Sequence, residues 1–428
     1  MKNFLKKNRL NIFLSLLLIA GFLTRVFFVD KVIVGDLMNY AEWGEKLVQN
    51  GPKGYYYSEG WYFSTPVYPP VSIVSFAADY WLNEHRYVLA QLHNVTKFPP
   101  SAFIIYFYKF GYVFLLKLLP ILCDLGISIL IYKLIFELTK SRKRAIYGFL
   151  FFILNPIVIF MSGAWGQTDS VVGILGLLSF LFLIKGNITF SIPIMFLSLY
   201  FKPSWAVLIP FYLFIIYKLK PGFKKFILGL FLSLLLFVVF TQPFAEGNVF
   251  SYGYKLFREK YPLPIGIVGK ASISAFNFQT IFFKVDIDYS SEKILGVKSS
   301  MLGTALYIII NIWAFKTFAK QKNKLLGMLS GIFIIGFGSF LFMATMLERY
   351  FFPALAPMII LMFVEAKTFW NIVVMNIILA ANIIYSFYRR GSDEIAHPFI
   401  DNNFLVIRVL SLLQFLNFMA VYNKIKKI

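Results

Sequence analysis

Residues 10–29 read LNIFLSLLLIAGFLTRVFFV, a predominantly apolar run that follows the basic residues Lys2, Lys6, Lys7 and Arg9. A helix of about 20 residues rises about 30 Å, the thickness of the hydrocarbon core of a bilayer. No small-residue cleavage site closes the run, so it reads as a retained membrane helix and not as a leader that is removed. Further apolar runs of roughly 14 to 20 residues recur along most of the chain, close to the length a spanning helix needs.

The composition agrees with this reading. Of 428 residues, 59% are hydrophobic and only 14% are charged, which leaves too little polar surface to cover a soluble globule. Lipid offers no partner to an unpaired backbone group, and the alternation of a barrel strand is absent, so the spans are helices. The formal net charge of +22 would suit a nucleic-acid binder if the basic residues formed one patch. They sit instead in short connectors between apolar runs: Lys140, Arg142, Lys143 and Arg144; Lys218, Lys220, Lys224 and Lys225; Lys316, Lys320, Lys322 and Lys324; Lys424, Lys426 and Lys427. The positive-inside rule makes these connectors cytoplasmic, and nucleic acid is not an expected partner.

Alternating sides from those connectors predicts an all-α fold: a polytopic transmembrane helix bundle of about 12 spans, one integral domain over residues 1–428, with both termini cytoplasmic. The spans run from Leu10–Val29 and Phe110–Leu138 through to Phe404–Tyr422. Ile188–Phe201, Trp205–Tyr217 and Phe352–Val364 are shorter than a membrane requires, which suits tilted, broken or re-entrant elements. Two long segments, residues 30–109 and 242–301, fall on the non-cytoplasmic side of the cell membrane. The first is dense in aromatics, and Leu37 to Val48 within it has the amphipathic pattern of an interfacial helix. The single Cys123 allows no internal disulfide.

The chemistry-bearing residues gather at the outward junctions. Gly35-Asp36-Leu37-Met38-Asn39-Tyr40 places a carboxylate just past the first span, where Asp36 is either a general base or a solvated loop residue. Other junctions read Trp165-Gly166-Gln167-Thr168-Asp169-Ser170, Phe201-Lys202-Pro203 and Glu348-Arg349-Tyr350. Charged residues this near hydrocarbon are functional candidates, and a structural ion pair such as Lys202 with Asp169 is their alternative. Lys202 and Arg349 suit a phosphate, and Arg can grip it with two donors. Trp and Tyr faces suit a sugar ring.

With Tyr68-Pro69-Pro70 and Ser274-Ala275-Phe276-Asn277 added, the order of these motifs resembles the GT-C glycosyltransferases, in particular their mannosyltransferase-like bacterial branch. Members of that group are integral membrane enzymes that use polyprenyl-phosphate-linked sugars. The resemblance implies Asp36 as the catalytic base. It implies substrate contacts from Tyr40, Tyr68, Trp165, Gln167, Asp169, Lys202, Asn277, Glu348, Arg349 and Tyr350. Leu347 stands where many relatives carry His before the Glu-Arg-Tyr triplet, so no role there depends on an imidazole.

The implied reaction is an inverting transfer of a hexose from the lipid-linked sugar donor to a glycan, lipid or protein acceptor, with membrane lipid as surroundings. It needs no cofactor, and no His/Asp cluster of metal-ligand spacing is present. A transporter or flippase of a lipid-linked or amphipathic substrate is the other reading. For that reading Asp124, inside the second span, is either a proton relay or a partner of Lys117, which lies seven residues away on a similar helical face. His85, His93 and His397 are too widely spread to form a site and read as surface residues.

Overall fold

The computed structural model describes residues 2–33, 35–261, 271–285, 293–391 and 404–427. Among these the protein is an all-α bundle, with one minimal antiparallel hairpin at Lys293–Ile294 and Val297–Lys298. The helices are α1 (Lys2–Phe27), α2 (Asp36–Asn50), α3 (Pro70–Glu84), α4 (Tyr87–Thr96), α5 (Ser101–Thr139), α6 (Arg142–Ile153), α7 (Pro156–Ile159), α8 (Asp169–Ile184) and α9 (Ile188–Phe201). They continue as α10 (Ile209–Leu219), α11 (Phe223–Thr241), α12 (Val249–Glu259), α13 (Gln279–Phe282), α14 (Ser299–Lys320), α15 (Lys324–Phe342), α16 (Phe352–Val364), α17 (Phe369–Gly391) and α18 (Phe404–Ile425).

A helix falls at each of the twelve expected positions, but they are not equivalent. Seven described helices are long and apolar enough to cross a bilayer. An eighth span results if Arg142–Ile153 and Pro156–Trp165, bent by 41°, count together. The bend falls at Asn155-Pro156, where the proline cannot continue the ladder. Four apolar helices, Asp169–Ile184, Ile188–Phe201, Pro203–Leu219 and Phe352–Val364, are shorter. Helix α5 begins nearer the N-terminus than expected, and its 39 residues reach about 58 Å, far beyond a hydrocarbon core. The first long segment therefore holds three helices of its own, including the expected amphipathic one as α2.

Burial sorts the bundle from the inside out. Every residue of α15 from Leu325 to Phe342 is buried, as is α16 from Phe352 to Met362, in keeping with sequences that are apolar all round. Small residues let neighbours close in: a Cβ on Gly176 would meet the Trp205 ring at 2.2 Å, and one on Gly331 the Phe211 ring at 2.1 Å. By contrast α1 and α11 expose Leu16, Ile19, Leu23, Phe231, Leu234 and Val239, an outer face suited to lipid.

Chain direction separates two ends. Helices α6, α11 and α15 each start beside a basic connector, whereas α8 starts at the Gln167-Thr168-Asp169 motif and α16 just after Glu348-Arg349-Tyr350. Thr189 donates to the Lys225 carbonyl at 3.2 Å, and Lys424 donates to the Lys367 carbonyl, so each bond ties two lysine-bearing connectors together.

Candidate functional site

The opposite end collects the charged junction motifs. Helix α1 ends at Phe27, and Gly35, at φ 59°, opens α2 with Asp36 as its first residue. A carboxylate there is favoured by the helix N-terminus. Asp36 Oδ2 accepts from Gln167 Nε2 at 2.7 Å and faces Arg349 Nη2 at 3.1 Å. Its side chain is 31% exposed, so this carboxylate is held in place and still reachable.

Gln167 is delivered by an unusual turn. Phe160–Trp165 is π-helical, and Gly166 reverses the chain at φ 77° before Gln167 N–H closes on the Met161 carbonyl at 2.7 Å. Wide turns of this kind recur at functional positions. A Cβ on Gly166 would lie 2.9 Å from Leu37 Cδ1 and 3.2 Å from Lys117 Cε. Gly186 has the same φ with open space around it. Gly166→Ala is therefore expected to lower stability by about 1–3 kcal/mol, and by more than Gly186→Ala. Apparent melting temperatures of the two variants in detergent compare them directly, and equal losses would remove the special constraint at Gly166.

Lys202 and Asp169 form the ion pair that the sequence allowed, Nζ to Oδ2 at 2.8 Å, with both side chains buried. The α conformation is disfavoured for a residue before proline. Lys202 accordingly turns extended ahead of Pro203, with φ −155°, and α9 stops. Its ammonium lies 5.7 Å from the Tyr68 ring centroid. Burial opposes that charge, but Asp169 and Tyr68 beside it hold the Lys202 pKa above its ordinary value.

Arg349 ties the halves together. Nη1 meets Glu348 Oε1 at 2.8 Å while Nη2 meets Asp36, and the guanidinium sits 5.3 Å from the Trp165 ring centroid. Glu348 is fully buried and also accepts from Ser274. Burial raises the Tyr350 hydroxyl above its usual pKa, while the nearby charges of Arg349 and Lys202 pull it down. Tyr40 and Tyr68 share a hydroxyl contact of 3.2 Å, and burial raises the Tyr40 hydroxyl well above its usual pKa, so it stays neutral.

The cluster thus brings together Asp36, Tyr40, Tyr68, Trp165, Gln167, Asp169, Lys202, Glu348, Arg349 and Tyr350. Two expectations change. Asn277 donates to the Phe340 carbonyl at 3.1 Å and accepts from Gln279 N–H, so it fastens a turn to α15, and Ser274 reaches the cluster in its place. Trp165 is buried under Arg349 and against Phe387, which makes it a platform for the cation more than an open face for a sugar.

Asp124 also pairs differently. Its partner is Arg25 of α1, Nε to Oδ2 at 2.9 Å, and Ser162 and Ser170 also donate to the carboxylate. Lys117 instead donates to the carbonyls of Val29, Val32 and Ala164 at 2.8, 2.8 and 2.6 Å. It thereby joins the approach to Asp36 to the turn before Gln167. Neither role was read from the sequence; a charged Arg25 inside an apolar run was the available signal. His85 and His93 cap local turns, on the Trp81 and Pro99 carbonyls, and His397 lies outside the described residues.

Arg349 Nε, Gln167 Oε1, Thr168 Oγ1 and Asp169 Oδ1 are buried without a hydrogen-bond partner among the described residues. Such an atom costs about 1–3 kcal/mol if nothing meets it. Similar atoms occur elsewhere, at Arg25, Asn311 and Gln414. Among the described residues no group of three His, Cys, Asp or Glu is placed to hold a metal ion. Fold and site together define an α-helical bundle of membrane-spanning character with a buried charged cluster at one end. No protein-family model matches the chain, and no curated protein matches it.

Proposed function

We propose that this protein is a membrane glycosyltransferase of the GT-C type. It moves a mannose-like hexose from a polyprenyl-phosphate-linked donor to a non-cytoplasmic glycan, lipid or protein acceptor. The observation that supports this best is the convergence of Asp36, Gln167, Asp169, Lys202, Glu348 and Arg349 at one end of the bundle, around a carboxylate that remains reachable. In this reading all twelve apolar helices cross or enter the membrane, and the basic connectors face the cytoplasm. A transporter would gather such groups near the bilayer midplane between broken helices, whereas these sit where helices begin and end.

The displacement uses one base. Asp36 takes the acceptor hydroxyl proton as that oxygen bonds to the anomeric carbon, and the bond from this carbon to the phosphate oxygen breaks. The electron pair leaves with the polyprenyl phosphate, which is already ionised and needs no acid. Lys202 and Arg349 stabilise its charge. Arg349 spends one donor on Asp36 before donor binds; the phosphate competes for that donor and leaves the carboxylate to the acceptor.

Arg349→Lys keeps the charge but loses the fork that spans Asp36 and Glu348, so donor turnover is expected to fall about tenfold to a hundredfold. Lys202→Ala should weaken donor binding as well. If both variants bind and use a polyprenyl-phosphate hexose as the wild type does, phosphate recognition lies elsewhere.

Sidedness has its own test. Cysteines replacing the exposed Glu59 and Lys322 are expected to react with an impermeant maleimide from opposite faces, Glu59→Cys from outside. Labelling of Glu59→Cys only from the cytoplasm would reverse the topology and defeat the extracytoplasmic reaction.

A further inference from the structure

At the end of the bundle away from Asp36, the last turns of α14 and α18 open a cavity of about 310 Å³. It is lined by Lys316, Lys320, Lys426 and Lys427 together with Gln321 and Tyr422. Helix α14 starts at Ser299, which bonds to Gln279 on the cluster's side of the bundle, and its 22 residues put Lys320 about 33 Å further on. The cavity is therefore separate from the site already described.

Lysines at the ends of spans are expected from topology and from the helix dipole. Those effects ask only that the lysines lie near water, and not that four converge on one hollow. No acidic side chain lines the cavity, and none of the four has a carboxylate partner among the described residues. The wall is firm: Tyr422 stacks on Trp313 at 4.5 Å and 13°, and Lys426 lies 5.4 Å from the Tyr422 ring centroid. A hollow of this volume is in the range of small-ligand sites, and four ammonium groups select an anion.

The neighbouring surface identifies the anion's carrier. Ile308, Ile309 and Ile312 of α14 and Val409, Leu412 and Leu416 of α18 are exposed on the turns leading to the lysines. The same two helices thus offer apolar rails beside a basic socket, which is the chemistry of a phospholipid. We infer that the cavity binds the phosphate headgroup of an anionic phospholipid, with its acyl chains lying along α14 and α18. This holds whether or not the chain is a glycosyltransferase.

The test uses the full chain in detergent, with native mass spectrometry following bound phosphatidic acid, phosphatidylcholine and inorganic phosphate. Phosphatidic acid should be retained in preference to phosphatidylcholine. A juxtamembrane lysine contributes roughly fivefold to anionic-lipid affinity, so Lys320→Gln with Lys426→Gln should weaken binding about thirtyfold. The pair Lys316→Gln with Lys427→Gln should do the same, with melting temperature in phosphatidylcholine unchanged for both. Undiminished phosphatidic acid binding in both double variants, or equal retention of phosphatidylcholine, would overturn the inference. So would inorganic phosphate binding alone with the same loss in the variants, which would assign the cavity to a free phosphate.

Discussion

The Asp36→Asn protein is expected to bind donor as the wild type does and to transfer sugar about a hundredfold to ten-thousandfold more slowly, the usual cost of losing a general base. The amide oxygen still accepts from Gln167 and Arg349, and Glu348 keeps the guanidinium paired at 2.8 Å, so the site should hold its shape. A purely structural carboxylate gives the opposite pattern: a lower melting temperature with turnover per folded molecule preserved. Donor affinity, transfer rate and thermal stability measured together separate the two, and wild-type turnover in Asp36→Asn would remove it as the base.

The largest stability loss is expected from Arg25→Leu. Arg25 and Asp124 are both fully buried, and the same guanidinium donates to the Gly21 and Ile153 carbonyls, each at 3.0 Å. Removing it strands the Asp124 carboxyl with only the Ser162 and Ser170 hydroxyls, and stranding one member of a buried pair costs about 3–5 kcal/mol. Arg25→Leu combined with Asp124→Leu should recover much of this, because the carboxyl that was left alone is gone. Unchanged melting of Arg25→Leu would show that the network carries little stability. The network also anchors the Ser162–Ser170 turn that presents Gln167 and Asp169, so activity should fall alongside stability.

The helical class and the positions of the apolar segments were legible because hydrophobicity and basic connectors follow from local composition. Helix lengths were less so. Helix α5 starts at Ser101, nine residues before the expected span, and Ser101 to Lys109 continue it although most of them are exposed. At the site, the short motifs did come together, and the Lys202–Asp169 pair was anticipated as an alternative. What failed was partner choice across spans. Lys117, seven residues from Asp124, shares a helical face with it, yet Asp124 chose Arg25 from 99 residues away, because contacts between helices are set by packing and not by spacing along one of them. Asn277 looked like its neighbours in the motif; its side chain was needed to close a turn.

The most direct test of the enzymatic reading is the fate of the donor. Purified protein reconstituted in vesicles is given a polyprenyl-phosphate hexose on the non-cytoplasmic face, and intact donor, polyprenyl phosphate and transferred or released hexose are separated over time. Wild-type protein is expected to split the donor at the anomeric bond, while Asp36→Asn protein binds it and leaves it whole. Intact donor moved from one leaflet to the other, by both proteins alike and with no hexose released, would contradict the account and establish a flippase instead.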